Sequence, residues 1–241
     1  INMRYKDQYQ NWRKDPEEFW ADQAQRLNWQ TAPEKIFEHN ESGDRWYDGG
    51  VMNTCFNCVD RHVEAGHGAR IAFIHNSPMT GTKSQISYAE LLDRVQCVAT
   101  MMQDKGIEKG DRVIIYMPMI VETAIAALAC ARLGAIHSIV FGGFAAAELA
   151  TRLDDARPKL VLAASCGLEP GRIIDYKPLL DGAIELASHK PEACLIWQRD
   201  EASASLIDGR DFEWQALEEQ ARVSDKRATC VPVLATDPLY I

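Results

Sequence analysis

Short apolar runs alternate with amphipathic stretches over most of the chain after residue 70. The apolar runs are of strand type and lie at 71–74, 112–117, 136–141, 160–163 and 193–197. Helical patterns fill the intervals, at 87–106, 120–133, 145–155, 177–188 and 211–222. Strands that are apolar on both faces are typical of a parallel sheet covered by helices. The predicted fold class is therefore α/β, with a parallel sheet flanked by helices.

Capping residues support the limits of several of these helices. Ser87 is followed three residues later by Glu90, which is the capping-box pattern of a helix N-terminus. Gly106 and Gly134 each stand just after a helical pattern, where a left-handed residue commonly ends a helix. Pro118 closes the β-branched run before it, as expected at the end of a strand.

The N-terminal residues follow a different pattern and are predicted to form a helical segment of their own. Asp15 and Pro16 have the residue types of an N-cap and a first helical position, and a loop follows to about residue 45. A second helix is predicted from 53 to 64. We place the boundary in the stretch 66–70, so that residues 1–66 form the N-terminal segment and 67–241 the first portion of the main domain.

Composition narrows the classes of partner and compartment. The 241 residues carry a net charge of −9, which argues against nucleic-acid and anionic-membrane partners. The longest apolar stretch, at 121–133, is too short and too polar to span a membrane. Seven cysteines, an odd number, suit reduced thiols in a cytoplasmic compartment, and the Cys55-x-x-Cys58 pair is interpreted as structural.

A glycine turn is the first candidate site. Phe141, Gly142 and Gly143 stand between a predicted strand and a predicted helix. Two glycines allow the backbone to approach a ligand closely, and the helix N-terminus that follows favours an anion. The alternative is a tight turn that binds nothing. The turn is not a G-x-G-x-x-G fingerprint.

A basic turn after the next strand is the second candidate. It has the sequence Glu169-Pro170-Gly171-Arg172. Ligands of open parallel sheets bind at the carboxyl ends of the strands, so Arg172 and the glycine turn are predicted to share one rim. The planar guanidinium of Arg172 suits a phosphate. The alternative is an Arg172 that pairs with Glu169 or Asp175 at the surface.

A third polar and aromatic stretch runs from Trp46 to Asn53 and continues through Asn57 to the sequence Asp60-Arg61-His62. Here Asn53 is predicted to cap a helix, Asp60 or Arg61 to bridge to the main domain, and His62 to be structural. The sequence contains no G-x-S-x-G elbow, no Walker loop and no histidine–cysteine pattern at metal-ligand spacing.

Taken together, these motifs resemble the acetyl- and propionyl-CoA synthetase family of adenylate-forming enzymes. The resemblance covers nearly the whole chain, from about residue 5 to residue 241. It is carried by W-Y-D-G-G-V-M-N at 46–53, N-C-V-D-R-H at 57–62, Y-M-P-M at 116–119, A-C-A-R-L-G-A-I-H at 129–137 and V-F-G-G-F at 140–144.

The resemblance implies a two-step ligase reaction. A short carboxylate attacks the α-phosphate of ATP, and the thiol of CoA then displaces AMP, with Mg²⁺ neutralising the phosphates. In such enzymes the glycine turn and the basic turn contact the nucleotide end of CoA. This role is carried onto Phe141, Gly142, Gly143 and the turn 169–172, in which Arg172 alone can hold a phosphate.

One departure from the acetyl-CoA branch bears on the substrate. That branch usually has R-A-G-R where this chain has Glu169-Pro170-Gly171-Arg172. The E-P-G-R version, like Ser77-Pro78-Met79-Thr80, resembles the propionyl-CoA branch. The resemblance therefore favours propionate over acetate as the carboxylate substrate.

The last residues, 237–241, begin an apolar strand, so the chain is expected to be an N-terminal fragment. The resemblance places the phosphate loop and all catalytic residues beyond Ile241. The expected partners are a small carboxylate and the remainder of the same chain. The expected location is cytoplasmic, or the mitochondrial matrix in a eukaryote.

Two further interpretations stay open from the residues. One is a Rossmann-like oxidoreductase domain, against which the missing glycine fingerprint counts. The other is a non-catalytic module that binds a nucleotide or CoA.

Overall fold

The computed structural model of the protein describes residues 4–41, 43–224 and 226–241. The helices are α1 (Tyr5–Lys14), α2 (Pro16–Ala24), α3 (Tyr88–Asp104), α4 (Val121–Leu133), α5 (Ala146–Ala156), α6 (Tyr176–Leu186) and α7 (Trp214–Val223). The strands are β1 (Lys35–Asn40), β2 (Gly43–Asp48), β3 (Val51–Met52), β4 (Ile71–Ser77), β5 (Thr82–Ser87), β6 (Arg112–Met117), β7 (Ile136–Phe141), β8 (Leu160–Ala164), β9 (Cys166–Glu169), β10 (Arg172–Asp175), β11 (Ala193–Trp197), β12 (Asp211–Glu213) and β13 (Val233–Leu234).

A five-stranded parallel sheet forms the centre of the fold, in the order β12-β11-β8-β6-β7. From β6 the chain passes through α4 to β7 at one edge, then returns through α5 to β8 on the other side of β6. In chain order this is a 2-1-3-4-5 arrangement, one of the common doubly wound orders. The predicted parallel α/β fold is confirmed, and the direction of winding reverses between β6 and β8.

Helices cover both faces of this sheet. Right-handed crossovers that run in opposite directions place α4 and α5 on opposite faces. Helix α3 packs against α4 and α7 on one face, and α6 packs against α5 on the other. The central strands β6 and β8 are almost entirely buried, with Val113–Tyr116 and Leu160–Ala164 all at most 1% exposed. This explains why the strands are apolar along their whole length.

The predicted caps are present. The Ser87 side chain accepts the Glu90 backbone N–H, and the Glu90 carboxylate accepts the Ser87 N–H at 2.7 Å. The Asp15 carboxylate accepts the Glu18 N–H at 2.9 Å, with Pro16 in the first turn of α2. Gly134 ends α4 in the left-handed region, with φ 68°.

The predicted helical N-terminal segment is confirmed, and it also contains two strands. After α1 and α2 it contains the antiparallel hairpin β1–β2, where a loop was predicted, and Phe37 packs on Trp46 across the two strands. The predicted helix at 53–64 is present and includes a π-helical stretch, Phe56–Asp60. A second π-helical stretch, Val63–His67, is interrupted at Gly66, which has φ 80°. The segment as predicted also includes residues 1–3 and Ser42, which lie outside the described residues.

Two buried polar side chains join this segment to the main domain. The Asn53 amide donates to the carbonyls of Ala131 and Val231, at 2.9 and 2.8 Å, and to that of Arg132 at 3.1 Å. Arg132, at the end of α4, donates to both carboxylate oxygens of Asp60 at 2.9 Å. The predicted bridge from Asp60 to the main domain is therefore present.

The final residues lie beside β7. His137 forms a parallel bridge with Tyr240, and the Ile241 N–H donates to the His137 carbonyl at 3.0 Å. A membrane-spanning helix is absent from the described part of the chain.

Replacing Asn53 tests the join between segment and domain. Asn53→Ala removes the buried amide that donates to three carbonyls and the oxygen that accepts the Phe56 N–H, so we expect the free energy of unfolding to fall by about 3 kcal/mol. Urea denaturation followed by circular dichroism measures it. Asn76→Ala, the same replacement at an exposed position of β4, is the control and is expected to change stability by less than about 0.5 kcal/mol. Equal losses in the two variants would contradict this role of Asn53.

Candidate functional site

The glycine turn follows β7 at the carboxyl edge of the sheet. Gly143 has φ 95°, and a Cβ atom added there would meet nothing within 4 Å. Phe141 is 71% exposed, and α5 begins at Ala146 without a side-chain cap. The turn thus offers an open backbone surface and uncapped first-turn N–H groups, which can donate to an anion.

The buried phenol of Tyr116 is hydrogen-bonded to the backbone of this turn. The Tyr116 hydroxyl, at the end of β6, donates to the Phe144 carbonyl at 3.1 Å. Burial raises the pKa of Tyr116 to about 12. The phenol therefore stays protonated at neutral pH and fixes the path of the chain between the strand and α5.

The basic turn forms the tip of the hairpin β9–β10. Glu169 and Arg172 face each other across a two-residue loop, in which Gly171 has φ 78°. Proline followed by a left-handed glycine has the residue types of a type II turn. The Arg172 guanidinium donates to the Glu169 carboxylate, with Nε and Oε2 2.8 Å apart.

The alternative considered for Arg172 was a surface ion pair with Glu169 or Asp175. The pair with Glu169 is present. The Arg172 side chain is 68% exposed, and exposed pairs of this kind contribute at most about 1 kcal/mol. An anion with more than one charge can compete with a single carboxylate for such a guanidinium.

Tyr176, at the start of α6, brings the two turns together. A Cβ atom added at Gly142 would lie 2.3 Å from its hydroxyl oxygen, and one added at Gly167 would lie 2.1 Å from the same atom. The phenol therefore fills the space between the two backbones, and only glycine fits on either side of it. Its ring packs on Tyr116 with centroids 5.0 Å apart, and burial raises the pKa of Tyr176. The glycine turn and the β9–β10 hairpin thus form one unit, which we call the glycine rim.

A cleft of about 630 Å³ lies beside the point where the winding of the sheet reverses. Its walls come from the β4–β5 hairpin, from residues 118–120 after β6 and from residues 197–201 after β11. Leu168 of the glycine rim also lines it. The cationic head of Arg199 already pairs with Glu201 and donates to the Cys166 carbonyl at 3.2 Å.

The third candidate stretch, from 46 to 62, makes contacts that hold the fold together. Asn57 accepts the Asn28 N–H at 2.8 Å, and Asp60 is paired with Arg132. The His62 ring lies against Tyr88, with centroids 5.0 Å apart. Desolvation, followed by the charge of Arg61, lowers the pKa of His62, so this imidazole is neutral at pH 7.

Sequence reasoning missed Tyr176, Tyr116 and the cleft. A signal for Tyr176 existed, because it comes four residues after the basic turn and because glycines follow two strands that are successive along the chain. The cleft had no such signal, because its walls come from stretches that are far apart in the chain.

The fold is that of a doubly wound α/β protein, and the glycine rim, its candidate site, lies at the carboxyl edge of the sheet. Comparison with known proteins then identifies the family: the chain belongs to the AMP-binding enzymes, whose family model matches residues 59–241. Residues 5–58 match the acetyl-coenzyme A synthetase N-terminus. The predicted family resemblance is confirmed.

Individual relatives include ligases of short acids. The chain is 45% identical over 229 residues to human acyl-CoA synthetase short-chain family member 3, mitochondrial, which covers 94% of this chain and 33% of the relative. It is 43% identical over 219 residues to Escherichia coli propionate–CoA ligase, covering 90% and 35%. It is 50% identical over 240 residues to an uncharacterised Pseudomonas aeruginosa protein, covering 99% and 38%. The chain thus spans about a third of the length of these relatives.

The contact between Gly142 and Tyr176 can be tested by a double-mutant cycle. Gly142→Ala places a methyl group against the phenol, so we expect a loss of about 2 kcal/mol in the free energy of unfolding. In a Tyr176→Leu background the same change should cost less than about 0.5 kcal/mol, because the hydroxyl is gone. Urea denaturation of all four proteins gives the coupling energy. If Gly142→Ala costs the same in both backgrounds, this contact is not the reason for the glycine.

Proposed function

We propose that this chain is the N-terminal portion of a short-chain acyl-CoA synthetase, which converts a carboxylate, ATP and CoA to acyl-CoA, AMP and pyrophosphate. The observation that carries the proposal is the glycine rim. It joins an open backbone at Gly143 and an exposed guanidinium, that of Arg172, at the carboxyl edge of the sheet. The names of the human and E. coli relatives support the same reaction class.

The part of the reaction assigned to this chain is the capture of the nucleotide end of CoA. Backbone N–H groups at the start of α5 and the guanidinium of Arg172 suit phosphate oxygens. The open face at Gly143 gives room for a ligand to approach the backbone, and Phe141 offers an exposed ring beside it. Glu169, Pro170 and Gly171 shape the turn that presents Arg172. Glu169 opposes the phosphate by its charge.

Adenylate formation is assigned to a longer protein that includes this chain. Mg²⁺ neutralises the phosphates of ATP in such reactions. We place that step outside residues 1–241, and we propose a cytoplasmic or mitochondrial-matrix location for the whole enzyme. We favour propionate over acetate as its substrate, on the E-P-G-R turn and the similarity to the E. coli propionate–CoA ligase.

Two substitutions at one ion pair should change CoA affinity in opposite directions. Arg172→Ala removes the guanidinium, and we expect the Kd for CoA to rise about fivefold, since an exposed charge contact contributes roughly 1 kcal/mol. Glu169→Gln releases Arg172 from its partner and removes a repulsive charge, so the Kd should fall. Isothermal titration of each variant with CoA and with dephospho-CoA measures both effects.

Arg13→Ala, at an exposed position of α1, is the matched control for loss of one positive charge and should leave the Kd unchanged. If Arg13→Ala and Arg172→Ala raise the Kd equally, the effect comes from the lower net charge and not from a contact of Arg172 with CoA. Tight binding of NAD in place of CoA would instead favour an oxidoreductase domain.

The chain on its own is expected to form no acyl-adenylate. Pyrophosphate release in the presence of propionate, ATP and Mg²⁺ should equal the rate without protein, because the proposed adenylation residues lie outside it. Turnover above that background would place adenylation within residues 1–241 and would overturn this division of the reaction.

A further inference from the structure

Two cysteines from opposite ends of the chain converge at the join between the N-terminal segment and the main domain. The sulfur atoms of Cys55 and Cys230 and a carboxylate oxygen of Asp60 all lie within 4.8 Å of one another. Asp60 Oδ2 is 4.0 Å from the Cys55 sulfur and 3.9 Å from that of Cys230. Cys58, which stands three residues after Cys55 in the sequence, is exposed and lies outside this cluster.

The guanidinium of Arg132 supplies the positive charge of the cluster. Its side chain is 3% exposed, and its Nη1 atom lies 2.9 Å from each oxygen of Asp60 and 3.7 Å from the Cys55 sulfur. Both oxygens of Asp60 thus already accept from a cation. This occupancy makes the carboxylate a poor ligand for a metal ion and leaves the two thiols as the reactive groups.

The two thiols differ in exposure and in charge. Cys55 is fully buried, whereas Cys230 is partly exposed. A hydrogen bond from Cys55, followed by the charge of Arg132, lowers the pKa of Cys230 despite its partial burial. The same hydrogen bond and burial raise the pKa of Cys55. Because Cys55 is buried and Cys230 is partly exposed, Cys230 is the thiol of the pair that an oxidant in solution reaches first, and Cys55 is the thiol held beside it.

We propose that Cys230 and Cys55 form a peroxide-reactive dithiol, in which Cys230 is oxidised first and Cys55 converts the product to a disulfide. The basis is a partly exposed sulfur, a buried sulfur within 4.8 Å of it, and a guanidinium 3.7 Å from the buried sulfur. Oxidants select thiols that are exposed to solvent, and a second thiol close by converts the first oxidation product to a disulfide.

The chemistry balances with hydrogen peroxide as the only oxidant. The Cys230 thiolate attacks one peroxide oxygen, the O–O bond breaks, and the departing hydroxide takes up the thiol proton to become water. The Cys55 sulfur then attacks the sulfenic sulfur of Cys230. The S–S bond forms, the S–O bond breaks, and the leaving hydroxide takes the Cys55 proton as a second water. Two thiols are oxidised and one peroxide is reduced to two waters.

The wild-type protein is sufficient for the main test. After treatment with hydrogen peroxide, the thiols titrated under denaturing conditions should fall by two from seven. Peptide mapping by mass spectrometry without reductant should find Cys55 joined to Cys230, and dithiothreitol should reverse the bond. A disulfide between other cysteines, or oxidation of Cys58 with Cys230 unchanged, overturns the proposal.

Variants separate the two roles. Cys55→Ser should leave a sulfenic acid on Cys230 that dimedone traps, and Cys230→Ser should abolish the loss of both thiols. Cys58→Ser, which removes an exposed thiol outside the cluster, should react like the wild type. If the purified protein instead binds one equivalent of Zn²⁺ when titrated with the metal alone, and loses peroxide reactivity, the cluster is a metal site and the proposal is wrong.

Discussion

The buried pair of Arg132 and Asp60 is the interaction on which the arrangement of the whole chain depends. A charge that is 97% removed from water is tolerated only with a partner and with its remaining donors satisfied. Arg132 meets this condition with Asp60 and with the Ala228 carbonyl, 2.6 Å from its Nε atom. Because these groups come from the N-terminal segment and from the chain after α7, one side chain at the end of α4 fixes two distant stretches relative to the sheet.

The topology of the sheet accounts for the position of the glycine rim. Parallel strands place all their carboxyl ends at one edge, so the loops after β6, β7 and β8 meet there regardless of their distance in sequence. The reversal of winding between β6 and β8 separates α4 from α5 and opens the cleft between the loops. Two arginines at this edge differ in their exposure to solvent. The Arg172 guanidinium is exposed, whereas that of Arg199 is engaged within the protein.

The regular part of the fold could be predicted from the sequence, because local signals and burial agree there. The run 112–117 is β-branched and enters a fully covered strand, and the Ser87–Glu90 box depends on residues only three apart. The hairpins β1–β2 and β9–β10 could not be predicted in this way. Their strands are short or largely exposed, and they are held by cross-strand contacts such as that of Phe37 with Trp46.

The sequence indicated the residues of the candidate site, but it did not indicate the packing that holds them together. Gly142 and Gly143 suggested close approach of a ligand, and this role stays a prediction. The structure adds a reason of a different kind for Gly142, which is the Tyr176 phenol against its backbone. The wedged phenol also has an entropic consequence. Two loops that would otherwise fluctuate independently are ordered when the protein folds, so a ligand that meets both does not have to order them on arrival. The entropy cost of ordering the loops is met on folding and does not reduce the free energy of binding. The Tyr176 side chain can therefore raise the affinity for a ligand without contacting it.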